Sequence, residues 1–484
     1  MLLSSGTKFR CYPTEKQKLV LSQWMGCQRV IYNAKVEEDR YYRTFGRKSL
    51  SLVGLEPSVD QQYAQFKNKE LTPYLYTVPS QILRNGATRF KQAYSRFFQG
   101  LSGRPVHKNK YAKQSVWITG ELFNFTATGA SKKRKQKTIY GHTLEIGAGK
   151  HYLGELRFTP SDEYGLPSTI TISKNGGKWF VSFSYEKAAD VIPEEEISSY
   201  YAAMSEEALD QIVQGNDRGK AIPVATNAGA TYDFTDVQRE RMLRKERHTK
   251  QYQRMMARRK PGSKRRNRAK IRAARCRQYG ADVRNDFAHK TSRTFVDSEW
   301  EVFVFEDLAI KNMTKAPKPK KDEDGTYLPN GARAKAGLTK GILESAWGKV
   351  RLYTTYKARR AGKLVLGVPP HHTSQECSRC SHTHPDNRLE QATFECKNCG
   401  FTANADVNAA SVIKWRGIRM LRAGEITVQA TKKTMRLKKK KQQLGQELAD
   451  VMRVGEGRKT DRGVTCDTPP SMIRETPTTT VLTL

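Results

Sequence analysis

The chain has 484 residues, enough for two or three domains, and 86 Lys plus Arg against 48 Asp plus Glu give a formal charge of +38. Self-repulsion of that size calls for a polyanionic partner, and nucleic acid is the default one. No apolar run approaches the eighteen residues of a membrane span, and Met1–Arg10 lacks a signal-peptide pattern. Four of the eight cysteines form paired hooks, while Cys11, Cys27, Cys276 and Cys466 are scattered, which argues against a disulfide framework and for a reducing, cytoplasmic setting.

In chain order, Lys8-Phe-Arg-Cys-Tyr-Pro13 reads as a short strand ended by proline. Thr14 then offers an N-cap for a helix running to about Tyr42. A second helix is predicted over Ser80–Phe98, carrying Ile82, Leu83, Phe90, Tyr94 and Phe97 with Arg84, Arg89, Lys91 and Arg96 among them. Those cations are either a solvated helix face or phosphate contacts.

From Gly103 to Lys187 the pattern is strand-like. Lys132–Lys137 reads as a basic loop, and Thr169–Ser173 and Trp179–Tyr185 as a hairpin closed by Asn-Gly chemistry. Val191–Met204, acidic and proline-containing, reads as a linker. Between Arg239 and Arg277 stand 18 basic and two acidic residues, interrupted by Pro261-Gly-Ser263. Charge runs are usually solvated tails, but this one lies between two strand-like segments, so we read it as two basic helices lining a nucleic-acid groove. The last sixty or so residues, with Lys438–Lys441 and a Thr/Pro-rich end, have a disordered composition.

The most specific signal is Cys377-Ser-Arg-Cys380, fifteen residues, then Cys396-Lys-Asn-Cys399. Two such hooks have the ligand spacing of a four-thiolate zinc ribbon. The alternative, redox dithiols, needs only one pair. Three acids stand at strand ends or a helix start: Asp217 in Gly215-Asn-Asp-Arg-Gly219, Glu306 after Trp300-Glu-Val-Phe-Val-Phe305, and Asp406 after the ribbon. One acid at such a place is usually a cap or turn residue. Three of them on a basic chain suggest a site for two Mg²⁺ ions acting on a phosphodiester. Hard oxygens suit magnesium and thiolates suit zinc, so the two metals would sit in two places.

With these pieces in order, the chain resembles the transposon-encoded TnpB (OrfB) nucleases and the compact type V CRISPR effectors. The likeness runs from about residue 7 to 415. It is carried by Lys8-Phe-Arg-Cys-Tyr-Pro13, Val78-Pro-Ser-Gln81, Phe97-Phe98, Gly177-Lys-Trp-Phe-Val-Ser-Phe183 and Ala257-Arg-Arg-Lys-Pro-Gly-Ser263. Glu306-Asp-Leu308, Trp347-Gly348, Thr373-Ser-Gln375 and Ala403-Asn-Ala-Asp-Val-Asn-Ala409 complete it. The resemblance implies a multidomain α/β protein. A split β-barrel wedge domain (1–14 and 103–187) would hold a helical recognition domain (15–102), and a linker (188–204) would lead to an RNase H-like RuvC nuclease domain (205–425). A zinc ribbon (371–403) would be inserted in that last domain, and a basic tail (426–484) would follow it.

By position, the resemblance makes Asp217, Glu306 and Asp406 the catalytic magnesium ligands, and Cys377, Cys380, Cys396 and Cys399 the zinc ligands. It implies a guide RNA and a target DNA as partners, a monomer or a homodimer, and a nucleoid-associated state when bound to DNA. The implied activity is RNA-guided DNA cleavage next to a short motif that the protein reads. A guided DNA-binding repressor is the alternative, and a strand-joining transposase lacks an identifiable nucleophile. Two departures from the family pattern stand out. Asn216 and Arg218 flank the first aspartate where aliphatic residues are usual, and Ser381 follows the first hook where glycine is usual.

Overall fold

The computed structural model describes residues 2–46, 61–110, 112–125, 130–134, 137–161, 164–188 and 192–424. The basic tail after residue 424, with Cys466, therefore lies outside the described residues. Strand β1 (Leu2–Cys11) leads into helix α1 (Glu15–Tyr41), which starts at Thr14 with a reciprocal capping box to Gln17. Helix α2 spans Ser80–Phe98. Seven strands follow, β2 (Gln114–Thr119), β3 (Phe123–Phe125), β4 (Ala130–Arg134), β5 (Lys137–Ile146), β6 (Gly154–Thr159), β7 (Thr169–Asn175) and β8 (Lys178–Ala188).

Together with β1 they make an eight-stranded antiparallel sheet in the order β2-β7-β8-β1-β6-β5-β3, with β4 on β5. Phe9, Phe158 and Phe183 fill its interior, where Trp24 and Ile31 of α1 and Leu83 of α2 join them. The chain thus returns to its own first strand before the second half begins.

Three expectations change here. Strands start at Gln114 rather than near Gly103. The predicted basic loop is largely strand, β4 and the start of β5, paired from Ala130↔Gly141 to Arg134↔Lys137. The β7–β8 turn is Gly176-Gly177, both at positive φ, with Asn175 paired to Lys178 instead of leading the turn.

The segment expected to be a linker carries helix α3 (Glu194–Ala202), followed by α4 (Glu206–Ile212). Ile197 and Tyr201 are four apart, share one helix face, and are buried with Val213, Val302 and Ile413. Three successive glutamates gave the segment its linker-like composition, but they occupy the first turn of α3, where the helix dipole favours them.

Strands β9 (Val213–Asp217), β10 (Val224–Thr226) and β11 (Thr231–Tyr232) precede the basic hairpin of α5 (Asp236–Ala257) and α6 (Lys264–Val296). The Pro-Gly-Ser break is the turn between the two helices, and its Ser263 caps α6. Next come β12 (Val302–Glu306), the short α7 (Ile310–Met313), the small hairpin β13 (Lys320–Lys321) and β14 (Tyr327–Leu328), α8 (Ala332–Glu344), α9 (Trp347–Arg360) and β15 (Leu364–Val368). A second hairpin, β16 (Thr393–Glu395) and β17 (Thr402–Asn404), leads into α10 (Ala405–Arg422).

The second sheet has the order β11-β10-β9-β12-β15, with β9, β12 and β15 parallel. Side chains alternate between its faces. Val302 and Val304 meet Ile413 and Ile418 of α10, while Phe303 and Phe305 meet Phe287 and Phe295 of α6 and Val350 of α9. Each buried aromatic or aliphatic side chain contributes about 1.5–3 kcal/mol, so β12 is the anchor of a three-layer stack.

Two glycines let α10 lie close on the sheet. A Cβ at Gly215 would sit 2.0 Å from the Ala410 carbonyl oxygen, and one at Gly417 would sit 2.4 Å from Val304 Cγ2. Replacing either residue with alanine would push the helix off the strands.

Candidate active site and zinc ribbon

Sheet alternation decides where the three acids go. Val213 and Gly215 face α10, so Asp217 faces it too, and Val302 and Val304 put Glu306 on the same side. Asn216 pairs with Phe305 in the parallel register, which sets Asp217 beside Glu306 at the carboxyl ends of their strands. Asp406 lies in the first turn of α10, the helix that covers this face, where the Asn404 side chain accepts from the Asp406 and Val407 amides. One face and one end of the sheet therefore bring all three together.

Their charges interact. Burial first, and then the carboxylates of Glu306 and Asp406, push Asp217 from 3.8 up to about 7. Thr373 donates its hydroxyl to Glu306 Oε1 at 2.6 Å, and Arg388 donates to Asp406 Oδ1 at 3.2 Å. Neither residue was identified as part of the site in the sequence. Thr373 is in one of the quoted motifs, but Arg388 reaches Asp406 only through the folded ribbon and leaves no local signal.

Arg218 occupies the other face. Its guanidinium donates to the Glu306 main-chain carbonyl and lies 5.6 Å from the Phe305 ring centre. The strand keeps its register, and the cation lies behind the acid cluster. Asp307 likewise turns away from the acids and pairs with Arg351 of α9 at 3.0 Å. Trp347 at the start of α9 donates its indole N–H to the Gly219 carbonyl at 2.9 Å and so tethers the loop after Asp217.

The ribbon closes beside Asp406. The four cysteine sulfurs lie within 4.8 Å of one another, with Cys377–Cys399 at 3.7 Å and Cys380–Cys396 at 3.6 Å. A tetrahedral Zn²⁺ with sulfurs at about 2.3 Å needs edges of about 3.8 Å, which these two pairs already match, so the set fits zinc. Within this set the His382 main-chain amide lowers the Cys380 thiol to about 6, while burial raises Cys377 to about 12.

The two hooks share a backbone device. Ser381 and Gly400, each directly after the second cysteine of its hook, adopt φ of 60° and 66°. Asn408 of α10 accepts from the Ser378 amide at 3.0 Å and donates to the Glu376 carbonyl at 2.8 Å, so the ribbon and the helix bearing Asp406 are stitched together.

Residues 347–413, which span α9, β15, the ribbon and the first half of α10, match the family model described as "Cas12f1-like, TNB domain". Residues 1–46 match the OrfB-type model described as "Helix-turn-helix domain". The chain is related to the transposon-encoded TnpB nucleases and the compact type V effectors.

Among curated proteins it is 26% identical over 420 residues to "Putative RNA-guided DNA endonuclease InsQ" of Escherichia coli K12, covering 87% of this chain and 94% of that protein. It is 51% identical over 55 residues to "CRISPR-associated endodeoxyribonuclease Cas12f1" of Sulfoacidibacillus thermotolerans, which is 11% of this chain and 13% of that one. A solved Cas12f1–sgRNA–target DNA complex aligns with 85% of this chain and 99% of its own at 13% identity and a TM-score of 0.46. Of the two matched segments, the first holds β1 and α1, and the second holds the four ribbon cysteines and Asp406.

Proposed function

We propose that the chain is an RNA-guided DNA endonuclease. In this reading the β9–β12–β15 sheet with α10 is a RuvC-type nuclease domain, the eight-stranded sheet is the wedge, and α1 with α2 belongs to the recognition domain. The observation that carries the reading is the convergence of Asp217, Glu306 and Asp406 on one face and one end of the second sheet, beside a four-cysteine ribbon.

A hard-oxygen set of this kind fits Mg²⁺, and no soft donor is needed. Asp217, Glu306 and Asp406 would hold the ions, and Cys377, Cys380, Cys396 and Cys399 would hold zinc. When bound, magnesium supplies an activated water and stabilises the leaving oxygen of a phosphodiester. The chain's own contribution is orientation. Thr373 fixes one Glu306 oxygen, Arg388 fixes one Asp406 oxygen, and β9 and β12 hold Asp217 and Glu306 in adjacent register.

Guide and target would be recognised through base pairing and backbone charge, with the α5–α6 hairpin as a basic wall. The test is to purify the full chain with its RNA, sequence that RNA, and offer a matched DNA target next to a randomised flanking motif. The proposal expects guide-dependent cleavage beside a restricted set of motifs, and zinc by elemental analysis. Guided binding without cleavage would transfer the chain to the repressor class.

A further inference from the structure

A pocket of about 310 Å³ lies between α1, α2 and the segment entering β2, and it shares no residue with the carboxylate site. Arg29 and Tyr32 come from α1, Arg89 from α2, and Lys108 and Lys113 from the approach to β2. The fold brings these groups together deliberately. Asn33 brackets Lys108 with two main-chain hydrogen bonds of 2.9 Å each, Arg29 donates to Gln114 Oε1 at 3.2 Å, and the Lys108 ammonium stands 3.4 Å from the Tyr32 ring centre.

No Asp or Glu lines this cavity, and among the described residues its four cations have no ion-pair partner. Burial, and then the charge of Arg89, push Lys108 down to about 8, and burial pushes Arg89 down to about 10. By contrast, Lys340 is paired with Glu246, and the buried Arg218 donates to a main-chain carbonyl. Arg29, Arg89 and Lys108 are half-buried and Lys113 is exposed beside them. Holding like charges together and partly desolvated without an anion costs stability, so such an arrangement suits a ligand that brings the anion.

We propose that Arg29, Arg89, Lys108 and Lys113 form a receptor for one phosphate group of the bound nucleic acid, with the Tyr32 side of the cavity accommodating the attached sugar or base. Guanidinium forks match phosphate oxygens and ammonium groups add point charge. The cavity volume exceeds that of a bare phosphate and is at the lower end for small-ligand sites. The identity of the phosphate donor rests on the nucleic-acid reading above. It does not depend on DNA being cut.

The experiment uses the full chain without divalent metal, so a failed nuclease assignment leaves it intact. Arg89→Gln, Lys108→Gln, the double variant and Arg89→Lys are compared with wild type in two assays. The first is the salt dependence of binding to the co-purifying RNA and to duplex DNA. The second is the melting temperature of nucleic-acid-free protein with and without inorganic phosphate.

Each lost phosphate contact should flatten the log K against log salt slope by roughly 0.7 to 0.9. The double variant should therefore lose about that much for one of the two nucleic acids, while its own melting temperature holds or rises because the repulsion is gone. Inorganic phosphate should raise the melting temperature of wild type and Arg89→Lys, but not of the double variant. Unchanged slopes for both nucleic acids would overturn the proposal, and a persisting phosphate shift would then assign the pocket to a free phosphate compound. A melting temperature that falls in Arg89→Gln and in the double variant but holds in Arg89→Lys, with no slope change, would make the cluster purely structural and also overturn it.

Discussion

Thr373 donates its hydroxyl to Glu306 Oε1 across 2.6 Å in a buried setting, so one of the two carboxylate oxygens is held by a side chain from beyond β15. Groups that orient a metal ligand typically matter ten- to a hundredfold in activity or metal affinity. Thr373→Val, nearly the same shape, should lower cleavage at least about tenfold while costing on the order of 1 kcal/mol in stability. Thr373→Ser should restore most of the rate. Equal rates in wild type and Thr373→Val would remove Thr373 from the site.

Arg218 tests the departure beside the first aspartate. Its side chain is 4% exposed, donates to the Glu306 carbonyl, and has no partner for its Nε atom. Arg218→Ala should cost about 3 kcal/mol from the cavity and the lost hydrogen bond. Arg218→Met should cost much less, because it refills the volume, and Arg351 also reaches that carbonyl at 3.3 Å. Chemical denaturation of both variants gives the comparison, and equal losses would contradict a packing role.

Ser381 sits where a residue with a side chain is strained. At φ 60° it adopts the left-handed conformation that its counterpart Gly400 adopts without penalty. Ser381→Gly should stabilise the zinc-loaded protein by about 1 kcal/mol, the low end of the usual cost for such a residue. Its hydroxyl gives up one bond from Arg419 at 3.2 Å near the surface, a small loss. A drop in stability would mean that this bond outweighs the backbone strain.

The raised Asp217 carboxyl sets a pH dependence. Its value moves from 3.8 to about 7, so the metal-free fold favours the protonated form. Stability from this group is therefore present at low pH, declines as pH rises from about 4 to 7, and is level above that. A divalent cation favours the charged form, so binding should release a proton below pH 7 and tighten as pH rises. Mn²⁺ titration calorimetry at pH 6 and pH 8 should show weaker binding and greater proton release at pH 6. Identical affinities at both would contradict the coupling.

Local signals made much of this legible from the sequence. Thr14 with Gln17, Ser80–Phe98 and the Pro261-Gly-Ser263 break are contiguous, and the elements begin and end close to where those residues predict. The two cysteine hooks likewise carry their spacing in one short stretch.

What was illegible depends on distant partners. Helix α3 was hidden because its glutamates dominate the composition, while its two apolar contacts, Ile197 and Tyr201, find their core only across the second sheet. The effect of Arg218 could not be read from its neighbours because it depends on which face of β9 it takes. That face is fixed by Gly215 against α10 and by Phe305 in β12. Arg388 and Asp406 are eighteen residues apart and meet only once the ribbon has closed.

The most direct measurement is metal-dependent cleavage of a guide-matched DNA by wild type and by Asp217→Ala, Glu306→Ala, Asp406→Ala and Asp307→Ala, with guided binding measured in parallel. The three site variants should lose cleavage by a hundredfold or more, since about 1 Å of misplacement already costs on the order of a hundredfold, yet they should still bind the target. Asp307→Ala should stay close to wild type, because that side chain faces Arg351 on the other side of the sheet. Cleavage that survives Asp217→Ala, or that falls equally with Asp307→Ala, would contradict the assignment of the carboxylate site.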